Sequence, residues 1–105
     1  MVISFETAEL RELCEDEAAA QKEFGLDAEQ LLAVLADLNA APTLEDLPPG
    51  LVSLIVGIAD NYRIKYGNIS LAFSLNHKKI PRNEHGNVKK GKVTRVKVVE
   101  VYHHD

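Results

Sequence analysis

Ten of the twelve lysines and arginines in this 105-residue chain, and all four histidines, lie after residue 60. Residues 1–60 carry thirteen acids against two bases, and residues 61–105 carry ten bases against three acids. The net charge of −4 therefore conceals an anionic first part of −11 and a cationic second part of +7. A cationic half suits a polyanion or an acidic partner; alternatively, the two halves neutralise each other within one fold. Arg63 and Lys65 are the leading candidates for contact with an anion, being separated by one apolar residue on a strand-like stretch. Arg95 and Lys97 repeat that spacing, which places both on one face of a strand. His77, Lys78, Lys79 and Arg82 crowd a polar segment. Tyr102 and His103, followed by His104 and Asp105, supply an aromatic ring and a residue type that titrates near neutral pH.

Other chemistries lack a signature. No phosphate-binding glycine loop, nucleophile elbow or dinucleotide fingerprint is present, so no cofactor is expected. His103, His104 and Asp105 with His77 or His85 have no ligand spacing, and adjacent strand residues point to opposite faces, so no metal is expected. The single cysteine, Cys14, forms no internal disulfide and reads as a small buried hydrophobe. No run of about 18 apolar residues suggests a membrane span. The N-terminus lacks the pattern of a secretory signal. A cytoplasmic protein is the expectation.

The elements that must position these groups centre on Tyr62–Leu75. Apolar and polar residues alternate on both sides of Gly67-Asn68, the pattern of a two-residue β-hairpin. That register pairs Tyr66 with Ile69, Ile64 with Leu71 and Tyr62 with Phe73 on a core face. Arg63, Lys65, Ser70 and Ala72 share the other face, expected to be small, cationic and open. Val2–Phe5 reads as a first strand. Thr7 reads as the cap of a helix whose buried stripe is Leu10, Leu13, Cys14 and Ala18, with Gly25 as its stop. Asp27 with Gln30 is a capping-box pattern for a second helix with stripe Leu31, Val34, Leu35 and Leu38, ended by Pro42. Thr43–Leu47 allows one more turn. Pro48-Pro49-Gly50 is a break, and Leu51–Ile58 suits a strand buried on both faces. Asn76–Lys92 is a long polar loop. In Val93–Val101 the strict alternation fails after Val98, so either a bulge falls there or the strand is covered on both faces. The expected fold is α+β: two N-terminal helices packed on a mainly antiparallel sheet of about four to five strands, one domain over residues 1–105.

This order, with these residues, resembles the RelE/ParE superfamily of bacterial toxins, in particular its HigB-type branch, some members of which are labelled killer suppression proteins. Val2-Ile3-Ser4-Phe5 with Glu9–Cys14 is similar to the family's first strand and helix. Leu35–Leu47 resembles the end of its second helix. Ile80-Pro81-Arg82 before Gly86 resembles a loop, and Val93–Val101 the last strand. The resemblance implies a RelE-like fold and the toxin of a type II toxin–antitoxin pair. Such a toxin is a ribosome-associated endoribonuclease of messenger RNA, neutralised by a cognate antitoxin protein. Fixed cations would stabilise the charge that grows on the phosphoryl oxygens, and a His, Tyr or acid would move protons. On this reading Arg63, Tyr102 and His103 are the catalytic candidates, and Lys65, His77, Lys78, Lys79, Arg82, Arg95 and Lys97 bind RNA. Ser53–Ala59 holds no base where that branch carries a basic segment. The branch's strand arginine corresponds either to Arg63 or to Ser70. The alternative is a catalytically weakened homologue that binds protein or nucleic acid.

Overall fold

In a computed structural model the described residues are 1–47, 52–55 and 60–103, with Leu54 described by its backbone only. The expected break at Pro48-Pro49-Gly50, half of the expected strand Leu51–Ile58, and His104 and Asp105 lie outside them. Five strands form one mixed sheet in the order β1-β5-β4-β3-β2, comprising β1 (Val2–Phe5), β2 (Val52–Leu54), β3 (Asn61–Tyr66), β4 (Ile69–Leu75) and β5 (Arg95–His103). The β1–β5 pair is parallel and the other three pairs are antiparallel. Three helical segments, α1 (Ala8–Glu15), α2 (Glu17–Phe24) and α3 (Ala28–Ala40), are the helical part of this α+β fold.

The hairpin has the register that its alternation predicts: Tyr62 opposes Phe73, Ile64 opposes Leu71 and Tyr66 opposes Ile69. Tyr62 stacks on Phe73 with ring centroids 5.7 Å apart. Burial is the main reason the Tyr62 hydroxyl is pushed above the ordinary phenol range, with the Asp60 carboxylate adding to it and Arg82 opposing it. Phe73, Leu71, Ile64, Val96 and Val98 are buried against Leu31, Val34 and Leu38 of α3. The stripe read for α3 is therefore its core face.

The first helical arm differs from expectation. It breaks at Asp16, which adopts an extended backbone and accepts hydrogen bonds from the amides of Ala18 and Ala19. A new N-cap restarts the helix with its phase changed. Ala20 and Phe24 are then buried, whereas Ala18 is exposed. Thr7 caps α1 through the Leu10 amide, and Gly25 terminates α2 at φ 59°.

Asp27 and Gln30 do not form a capping box. Asp27 makes no capping hydrogen bond. The Gln30 carboxamide oxygen instead accepts the Asn68 amide at 2.7 Å, fastening the hairpin turn to α3. A single turn spans Leu44–Asp46, with Asp46 capping it through the Thr43 amide. The strand read as buried on both faces is β2, an edge strand with Ser53 exposed. Residues 76–92 are folded on themselves rather than extended. Arg82 bridges to Val88, the Lys89 amide donates to Pro81, and Asn83 Oδ1 accepts from the amides of His85 and Asn87.

Gly67 has φ 60°, and a Cβ there would lie 2.4 Å from Gln30 Oε1. Gly67→Ala should therefore cost more than about 1 kcal/mol in urea unfolding, from backbone strain plus overlap. In a Gln30→Ala background the penalty should shrink, since only the backbone part remains.

Candidate functional site

Helices cover one face of the sheet. On the other, strand pairing places Arg63 and Lys65 of β3 beside Ser70, Ala72 and Ser74 of β4, and these beside Lys97, Glu100 and Tyr102 of β5. Arg95 and Ser4 extend the row toward β1. Tyr102 reaches this face because of a bulge. Phe73 opposes Val98, but Ala72 opposes Glu100, so Val99 is the extra residue. Before it, Val96 and Val98 point to the core while Arg95 and Lys97 point away. After it the parity reverses, sending Glu100 and Tyr102 to the helix-free face and Val101 and His103 to the helices.

The Arg63 guanidinium carbon lies 6.0 Å from the centre of the Tyr102 ring, within cation–π range. Arg63 Nε is buried and has no hydrogen-bond partner. No carboxylate forms an ion pair with Arg63 among the described residues. A buried donor without an acceptor costs free energy that an incoming oxyanion would recover. Ser70 and Ala72, expected to be open, are 1 % and 3 % exposed. They lie on the central strand, between long side chains on both neighbouring strands, so the cationic surface is stratified: small residues form its floor, with Arg63 and Tyr102 beside them. Because Arg63 opposes Ala72 and Ser70 opposes Lys65, the two candidate positions for the strand arginine share this face.

His103 does not join them. Its Nε2 is 3.1 Å from Asp27 Oδ2, and its ring meets the Phe24 ring edge-on at 4.9 Å. It ties the end of β5 to the α2–α3 junction. Arg82 and His77 of the polar loop are also committed elsewhere. Arg82 Nη2 is 2.6 Å from Asp60 Oδ2, and Nη1 donates to the Gly86 carbonyl. The hydrogen bond to Asp60 raises the Arg82 pKa further. Asp60 itself has φ 61°, a left-handed backbone that aspartate tolerates better than most residues. His77 Nε2 accepts the Thr94 amide at 3.2 Å, while Lys78 and Lys79 are exposed.

Of the expected set, the helix-free face thus gathers Arg63, Lys65, Arg95, Lys97 and Tyr102. Glu100 was not among the sequence candidates. Its signal was the broken alternation at Val98–Val99, which moves it to the arginine's face. Cys14 is no nucleophile: burial, helped by the Glu15 charge, pushes its thiol up to about 11. Among the described residues no group of three or more His, Cys, Asp or Glu side chains is placed to hold a metal ion. No helix among them is long and apolar enough to cross a membrane. Comparison with family models, with curated proteins and with solved structures found no match in any of the three.

Inserting one alanine between Val99 and Glu100 would exchange the faces of every residue beyond it and drive Glu100 and Tyr102 into the helix-facing core, whereas deleting Val99 would only remove the bulge and keep both on the helix-free face. We expect that insertion to abolish the cooperative melting transition, because a buried unpaired carboxylate is costly. Val99→Ala, which keeps the bulge, should still melt cooperatively.

Proposed function

We propose that this chain is a toxin-type protein that holds single-stranded RNA on the helix-free sheet face and cleaves it there, as the resemblance to RelE-type toxins implies. The observation that carries this reading is Arg63. Its guanidinium lies beside Tyr102, without a carboxylate partner among the described residues, and its buried Nε has no acceptor. A phosphate of the RNA backbone supplies that acceptor, and Lys65, Lys97 and Arg95 flank it along the same face. Tyr102 offers its ring to a base. In-line attack by a 2′-hydroxyl places charge on the phosphoryl oxygens, which Arg63 stabilises. With His103 on the other face, proton transfer falls to Tyr102 and Glu100, the titratable groups next to Ala72 and Ser70. A cognate antitoxin would neutralise the protein by covering this face, and the ribosome would present the messenger RNA.

His103 favours a second reading. Its contacts with Asp27 and Phe24 leave β3, β4 and β5 presenting no histidine to the cationic face, which suits a weakened homologue that binds RNA or a protein partner without cutting.

Induced expression and cleavage of a labelled RNA, free and on translating ribosomes, separate the two. The first reading expects growth arrest and cleavage, with Arg63→Ala lowering the cleavage rate about a hundredfold and His103→Ala leaving it at the wild-type level per folded molecule. Binding of RNA without cleavage would select the second. Absence of both would refute the RNA reading.

A further inference from the structure

The helical layer carries a surface that the RNA reading does not use. Between α2 and the start of α3 lies a groove of about 510 Å3, lined by Glu17 and Gln21 on one side and by Leu26, Glu29 and Leu32 on the other. Gly25 turns the chain at its rim, and the next residue, Leu26, is 96 % exposed. No other large apolar side chain among the described residues is so fully in water. Glu17 and Glu29 form no ion pair among the described residues, and Glu17 accepts only a long 3.4 Å hydrogen bond from Gln21.

We propose that this groove docks a cationic amphipathic helix of a partner protein. An apolar side chain of the partner packs against Leu26 and Leu32, and its lysines or arginines face Glu17 and Glu29. The choice of occupant follows from charge. Residues 1–47 hold twelve acids and two bases, so the layer repels nucleic acid and anionic lipid and attracts a basic polypeptide. An exposed leucine at the edge of an open groove is the anchor that a helix-in-groove contact uses. The groove is lined by residues of the helical layer alone, so an occupant there leaves the sheet face uncovered.

Fluorescence anisotropy of a labelled amphipathic helical peptide of leucine and lysine, titrated with the full chain, tests this. The lysine peptide should bind, and a version with glutamate at every lysine should not. Leu26→Ser should weaken binding about tenfold or more, as loss of a contact anchor does. Glu17→Gln combined with Glu29→Gln should weaken it comparably. Leu26 stands in solvent, so Leu26→Ser should melt as the wild type does and report docking alone. No binding, or equal affinity for wild type and Leu26→Ser, would overturn the proposal. It would also be overturned if sedimentation showed the chain pairing with itself in a manner that Leu26→Ser abolishes, or if neutral lipid vesicles captured it through Leu26.

Discussion

One extra residue in β5 decides which chemistry meets on which side of the sheet. A strand presents alternate residues to opposite faces, so a single insertion exchanges the faces of everything beyond it. Val96 and Val98 lie in the core before Val99, and Val101 packs toward it after. The apolar pattern of β5 can be satisfied only with the bulge. The consequence for the polar residues is forced: Glu100 and Tyr102 must stand beside Arg63, and His103 must turn to Asp27 and Phe24. The site's composition therefore follows from where the valines need to be.

That constraint acts on a frame held by the β3–β4 hairpin. Gly67 permits the tight turn, Gln30 ties the turn to α3, and Tyr62–Phe73 stacking closes the other end. The hairpin supplies the central strand β4, whose neighbours on both sides are long while its own helix-free residues are small. This contrast in size lets Arg63 and Tyr102 approach each other across Ser70 and Ala72. It also keeps Arg63 Nε from water, so a donor remains for a ligand rather than for solvent.

Local chemistry was legible in the sequence wherever one residue's conformational need decides the outcome. The Gly67-Asn68 turn, the Thr7 cap, the Gly25 stop and the register of Tyr62–Leu75 all follow from short-range rules. The bulge left a signal in the broken valine alternation, although the sequence alone allowed a strand covered on both faces. What was not legible depends on distant partners. Asp27 and Gln30 have the spacing of a capping box, yet His103 and Asn68 engage them from across the fold. Asp16 reads as one more helical surface acid, and its role as a cap emerges only with the break between α1 and α2. Arg82 and His77 look like free groups of a polar loop until Asp60 and Thr94 are placed beside them. The parallel docking of β1 against β5 likewise joins the two ends of the sequence, which no local pattern reports.

We propose that RNA lies on the helix-free face over Arg63 and Tyr102. The most direct measurement is the map of amide and side-chain NMR shifts as a short single-stranded RNA is added to the protein. The largest changes should fall on Arg63, Lys65, Ser70, Lys97, Glu100 and Tyr102, with the Arg63 Nε–H resonance shifting as it gains a phosphate acceptor. Changes confined to the helices, or to the loop around Arg82 with the β4–β5 face unaffected, would contradict it.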